Sequence, residues 1–192
     1  MIPDITGNGW NATLYNNAFA SKGVLTLDGT GQYAEFPKEI LSNFSEFTIT
    51  CWVNVPVFSP MARIWDFGED EGNYIALIAS NDFTGIPVFE ARFDYEEVQR
   101  IELSQAIPQN KWVHLAVSLN EFNISIYLDS LLVASQYITF TPSNFSNATQ
   151  NWLGKSQNPN DTYFNGSIAD FHIHDRPLLV EQILAESQGI FW

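Results

Sequence analysis

Residues 47–55 alternate in character. Phe47, Ile49, Cys51, Val53 and Val55 are apolar, and Thr48, Thr50, Trp52 and Asn54 fall between them. Successive side chains of a strand point to opposite faces, so such a run must set one face on a core and leave the other on a mixed surface. The period returns at 111–119, where Val113, Leu115, Val117 and Leu119 share one face and Trp112, His114, Ala116 and Ser118 the other. Strand-like stretches fall at 24–28, 32–36, 46–55, 63–68, 73–80, 88–94, 98–104, 111–119, 122–129, 131–136, 150–154 and 166–174. Each is rich in β-branched or aromatic residues and bounded by Gly, Asn, Asp or Pro. Only 178–187 has a helical period, with Leu179, Ile183 and Leu184 on one side and Pro177 placed to start it. This order predicts an all-β, two-sheet antiparallel sandwich with one short C-terminal helix. Where a sheet curves, the mixed faces are expected to line a concave groove.

The 192 residues, 45% of them hydrophobic, suffice for a sizeable core, and no linker, repeat or low-complexity tract divides 1–192, which is expected to be a single domain. No apolar run approaches the roughly 18 residues that a membrane helix needs. No signal peptide is visible at Met1-Ile2-Pro3-Asp4. With 8 Lys plus Arg against a net charge of −14, neither phosphate-backbone recognition nor attraction to an anionic membrane is expected. The single cysteine, Cys51, lies in register with Phe47, Ile49 and Val53, where a thiol serves as a small apolar side chain.

The closing run 165–183 reads as a turn, an alternating strand and a short amphipathic helix. It resembles the last strand and final helix of laminin G-like jelly-roll domains, in the concanavalin A-like lectin/glucanase group. Other elements follow in the order of that family: Asp4 with the turn Thr6-Gly7-Asn8-Gly9 and Ala12-Thr13-Leu14, then Leu27-Asp28-Gly29 with Tyr33, and then Phe47-Thr48-Ile49-Thr50-Cys51-Trp52-Val53. After these come Arg63-Ile64-Trp65-Asp66-Phe67-Gly68, Trp112-Val113-His114-Leu115-Ala116, Ile126-Tyr127-Leu128-Asp129 and Leu153-Gly154-Lys155-Ser156. One position departs: the hairpin residue after Asp129, usually Gly, is Ser130. If it needs positive φ, Ser costs about 1 kcal/mol relative to Gly.

The resemblance implies a jelly roll, a non-catalytic role, and a structural calcium in many members. Calcium takes six to eight oxygens. Asp4, Asn8, Asp28 and Asp170 lie in the motifs that the family brings together, and Asp28 and Asp170 are the first candidates; capping of turns is the alternative role for Asp and Asn. Glu90, Arg92 and Asp94 share a strand face, as do Arg100 and Glu102 on the next strand. They are candidates for bonding saccharide hydroxyls, against the default of an outer face with cross-strand ion pairs. Trp65, Tyr74, Phe83, Tyr95 and Tyr163 are candidate stacking rings, although most aromatics of a sandwich belong to its core. Asp170, His172 and His174 alternate along the last strand, but without a further protein ligand a solvated polar face is expected there, not zinc.

Retaining glucanases of this general fold carry Glu-x-Asp-x-x-Glu or Glu-x-Asp-x-Glu on one strand. Here Glu90-Ala91 is followed by Arg92, so the carboxylate triplet is absent. The runs from Gly7 and Gly29 mimic a dinucleotide fingerprint, but strand-like residues follow both, where a helix is required. Seven Asn-x-Ser/Thr sequons occur, at Asn11, Asn43, Asn123, Asn144, Asn147, Asn160 and Asn165, and 144–149 is expected to be an exposed loop. The expected function is a recognition module for carbohydrate or a cell-surface ligand, extracellular or surface-exposed, with no nucleic acid and no membrane insertion. The alternative is a structural, decoration or adhesin protein acting through protein–protein contacts, such as a virion surface component.

Overall fold

A computed structural model describes residues 1–38, 40–41, 43–145 and 148–189. The strands are β1 (Thr13–Tyr15), β2 (Phe19–Ser21), β3 (Val24–Asp28), β4 (Tyr33–Glu35), β5 (Phe47–Asn54), β6 (Ala62–Asp70) and β7 (Asn73–Ser80). They continue with β8 (Val88–Arg92), β9 (Gln99–Glu102), β10 (Trp112–Asn120), β11 (Asn123–Leu128), β12 (Leu131–Tyr137), β13 (Gln150–Leu153) and β14 (Asn165–His174), and helix α1 (Val180–Ser187) follows. They form a first sheet in the order β1-β4-β13-β6-β7-β8-β9 and a second in the order β12-β11-β10-β5-β14-β3-β2. This is the expected jelly-roll sandwich. β1 was expected only through the resemblance, and β2 is an addition: a three-residue strand carries too few alternations to be read from its own sequence. Among the described residues no helix is long and apolar enough to cross a membrane.

The inner faces follow the alternation. Phe47, Ile49, Cys51 and Val53 of β5 and Val113, Leu115, Val117 and Leu119 of β10 are buried against Trp65, Phe67, Ile75, Leu77 and Phe89 of the first sheet. Burial without a polar neighbour pushes the Cys51 thiol up to about 12, so it stays a packed apolar group.

Two β-bulges reset the alternation and decide what the outer faces carry. In β6 the pairing with β7 shifts on both sides of Arg63, so Arg63 and Asp66, three residues apart, reach the same outer face. In β14 the pairing with β5 shifts between Ala169 and His172, around Asp170 at φ 49. Ile168 faces the core. Strict alternation would send His172 and His174 inward with it, and the bulge instead pairs them with Thr50 and Thr48 on the outer face.

Helix α1 starts three residues after Pro177, with Leu179 as its N-cap. It covers the outer face of the second sheet. Leu178 and Ile183 pack on Ala116 and Tyr127, while Leu179 and Leu184, expected on the buried side, face outward. Segment 144–149 is more covered than expected. Pro142–Asn144 is a short 3-10 turn and Phe145 and Ala148 are buried; the sequon Asn147 lies outside the described residues.

Asp129 and Ser130 both sit at positive φ, 47 and 68, as in a two-residue type I′ turn. Ser130→Gly is expected to stabilise the protein by about 1 kcal/mol, raising its melting temperature by about 2–4 °C. Thermal unfolding followed by circular dichroism checks this.

Candidate functional site

One row of cross-strand neighbours runs over the outer face of the first sheet: Glu35 opposite Trp152, Trp152 opposite Asp66, Asp66 opposite Ala76, Ala76 opposite Glu90, and Glu90 opposite Arg100. The small Ala76 leaves room above it. Into that room Arg63 extends, turned outward by its bulge. Its Nη1 lies 3.0 Å from Glu90 Oε2, its Nη2 3.3 Å from Asp161 Oδ2, and its Nε 3.2 Å from Ser156 Oγ and 3.5 Å from Asp66 Oδ2. Arg100 Nη1 donates to the other Glu90 oxygen at 3.1 Å, and the Tyr74 hydroxyl donates to Glu90 Oε2 at 3.1 Å.

The loop between β13 and β14 closes over this network. Gly154, at φ 84, turns the chain, and Ser156, Gln157 and Asp161 come down on Arg63 and Asp66. Arg63 is 3% exposed, Asp66 0% and Glu90 4%. Burial pushes Asp66 up to about 7, against the opposing pull of Arg63 and of the Gln157 backbone N–H. Its Oδ2 accepts from the Gln157 N–H, and its Oδ1 has no hydrogen-bond partner among the described residues.

The folded chain therefore holds a proton on Asp66 over a pH range in which the unfolded chain has lost it, and stability falls as pH rises from about 4 to about 7. The expected slope from this group is roughly 1.4 kcal/mol per pH unit inside that window. Urea unfolding across pH should show it, and Asp66→Asn should flatten it. An unchanged slope in that variant would mean that Asp66 does not hold the proton.

Toward β1 the same face turns aromatic. Tyr15 and Tyr33 stack with ring centroids 4.7 Å apart, and Trp152 meets Tyr33 edge-on at 6.3 Å. Lys155 Nζ lies 4.5 Å from the Tyr33 centroid and 3.8 Å from that of Trp152. Glu35 accepts from Trp152 Nε1 at 3.2 Å and from the Tyr15 hydroxyl, and that second bond is the main reason the Tyr15 phenol is raised. Tyr15, Tyr33, Lys155 and Tyr163 are half-buried, so rings, an ammonium and a carboxylate reach solvent together. A second opening, a polar cleft of about 370 Å³, lies on the other sheet between Asn123, Ser125 and Pro177.

The sequence-predicted ligand residues do not share one environment. Trp65 is a correction: it is fully buried, stacked on Phe67 at 5.6 Å, because the β6 bulge leaves it on the core side. Tyr74 and Glu90 do lie on the outer face, inside the buried network. Arg92, Asp94 and Tyr95 build the turn after β8, where Arg92 donates to the carbonyls of Glu96, Glu71 and Tyr95 and the Tyr95 hydroxyl donates to Asp70. Tyr163 lies on the covering loop, and Phe83 is exposed in the turn after β7. Tyr15, Tyr33, Glu35, Trp152, Lys155, Arg63 and Asp161, which the structure gathers on this face, are not among the sequence candidates. The alternation Tyr33-Ala34-Glu35 carried a signal for two of them, since Ala34 is the inward residue.

The four calcium candidates do not form one site. Asp28 pairs with Asn165 at one end of the β3–β14 ladder, and Asp170 lies five residues further along β14, about 17 Å away at strand rise. The Asp28 carboxylate instead accepts from the Thr30 N–H and hydroxyl, and that of Asp4 from Thr6 and the Trp10 N–H. Asn8 is exposed in its turn. These are turn caps, and their donors compete with a cation for the same oxygens.

The family described as the concanavalin A-like lectin/glucanases superfamily matches residues 28–184. Domain 4 of AbnA, a GH43 extracellular arabinanase from Geobacillus stearothermophilus solved in complex with arabinotriose, superposes with a TM-score of 0.80 at 18% identity, covering 96% of this chain and 92% of that one. The receptor-binding domain of botulinum neurotoxin C/D mosaic serotype gives a TM-score of 0.74 at 14% identity, covering 96% and 48%. The binding domain of Paraclostridial Mosquitocidal Protein 1 gives 0.70 at 16%, with the same coverage. This chain thus spans about half the length of the toxin chains. No curated protein matches it.

Proposed function

This chain belongs to the concanavalin A-like lectin/glucanase superfamily, and on that premise we propose that it is a non-catalytic module that binds carbohydrate on the outer face of its first sheet. The observation that carries the reading is the half-buried Tyr15 ring ending a stack on Tyr33, a face for the apolar side of a sugar, with Lys155 and Glu35 beside it as donor and acceptor for hydroxyls and the buried Trp152 as their support. The net charge of −14 favours a neutral glycan over a polyanionic one. Glu90 and Asp66, the buried carboxylates of that face, are held by Arg63 beneath a loop, an arrangement that supports anchoring over hydrolysis. Such a module would act outside the cell or on a surface.

The test is a glycan and polysaccharide panel that includes arabinotriose, run once with calcium and once with chelator. Saturable binding without product release supports the reading, and a blank in both arms removes it. Calcium enters as an arm of this experiment because Asp4 and Asp28 already serve as turn caps.

A second reading, docking onto protein, is favoured by one observation. The edge strand β12 exposes Leu131, Leu132 and Tyr137, with Phe122 beside Tyr137 at 5.8 Å. An open apolar edge can accept a partner strand. A blank panel together with self-association that Leu132→Lys abolishes would favour it.

A further inference from the structure

We propose that His172, His174 and Glu186 bind a divalent transition-metal ion, zinc above all, which ties α1 to β14. The inference is independent of the glycan reading and uses the opposite sheet. The β14 bulge turns both imidazoles outward, beneath α1. The helix is set down by Leu178 and Ile183. Glu186, three residues after Ile183, lies on the same helical face and points at the histidines. The third ligand that the last strand lacks therefore comes from an element 12 residues further along the chain than His174.

The three donor atoms lie within 4.8 Å of one another. His174 Nε2 is 2.8 Å from Glu186 Oε1, and His172 Nδ1 is 3.6 Å from Glu186 Oε2. Tetrahedral zinc with bonds of about 2.0–2.1 Å holds its donors about 3.3 Å apart, so the triangle needs only small adjustments. His174 Nε2 is buried and pairs with Glu186 Oε1.

Outer partners are in place too. His172 Nε2 lies 3.3 Å from Asp170 Oδ1, the carboxylate–histidine–metal arrangement that orients an imidazole and raises its basicity. The Thr50 hydroxyl donates to Glu186 Oε2. Two imidazoles and one carboxylate suit zinc, nickel or copper better than calcium, which prefers oxygen alone. The side chains of His172, His174 and Glu186 are partly exposed, so a fourth position is open to water on the solvent side of the cluster.

Zinc titrated into the untagged chain by calorimetry should bind at one site per chain with a micromolar or lower Kd and should raise the melting temperature. Cobalt should give the visible absorption of a tetrahedral site, and calcium should not compete. His174→Gln and Glu186→Gln should each weaken zinc at least tenfold, and Asp170→Asn about tenfold, while His114→Gln should leave it unchanged. Because Glu186→Gln also loosens the helix contact, His174→Gln with an intact circular dichroism spectrum is the deciding variant. No saturable binding at micromolar zinc, or binding that His174→Gln leaves intact, would overturn the proposal.

Discussion

Arg63→Met is expected to lower the melting temperature by about 10 °C, the largest stability loss of any single outer-face substitution in the first sheet. The guanidinium is the only cation in direct contact with both Asp66 and Asp161 among the described residues, and it shares Glu90 with Arg100. Methionine fills much of its volume but leaves Asp161 and one oxygen of Glu90 without their cation, beside the Asp66 carboxyl, under the loop. Removing one partner of a buried ionic group costs about 3–5 kcal/mol, and each kcal/mol moves a chain of this size by about 2–4 °C. Part of the loss should return when Glu90→Gln and Asp161→Asn are added, because the uncompensated charges disappear with them. Calorimetric unfolding of the single and triple variants checks this. A shift under about 3 °C for Arg63→Met would mean that water already solvates the network and that the loop does not seal it.

Tyr15→Ala should reduce glycan affinity about 30-fold while moving the melting temperature by no more than a few degrees. Truncating an aromatic hot spot costs about 2 kcal/mol or more, and about 1.4 kcal/mol is tenfold in Kd. Tyr15 is half-buried and terminates the stack, so its ring can engage ligand without being needed by the core. Lys155→Met should weaken binding through lost hydroxyl contacts, since its ammonium sits over both Tyr33 and Trp152. Titration of the best ligand from the panel into these variants decides the location. If both bind as the parent does, while Asn123→Ala or Ser125→Ala abolishes binding, the cleft beside Pro177 is the site and the aromatic face is not.

The strands with clear alternation, β5 and β10, were legible residue by residue, because the period of two survives wherever one face meets a core. The candidate site was legible only in fragments. Tyr74 and Glu90 lie on the outer face of the first sheet and Tyr163 on the loop covering it, but Trp65 faces the core, and the cause is local. Strict alternation puts residues 63, 65 and 67 on one face, and the bulge at Arg63 breaks that phase, sending the arginine out and keeping both aromatics in. The histidines of β14 show the same effect. Their spacing was plain in the sequence, but their side of the sheet depends on a bulge at Asp170, and their third partner on where a helix lands.

By itself, the sequence determined the two-layer architecture, the inward position of Cys51 and the absence of the glucanase carboxylate triplet. Each follows from local periodicity or from residue identity. Tertiary structure alone decided which chemistry gathers where. Arg63 meets Asp161 across 98 residues, Glu35 meets Trp152 across 117, and Thr50 meets Glu186 across 136. Contacts of that span arise from sheet order and register, which the hydrophobic pattern of any one strand does not specify, and a single-residue bulge is enough to exchange the face that packs for the face that binds.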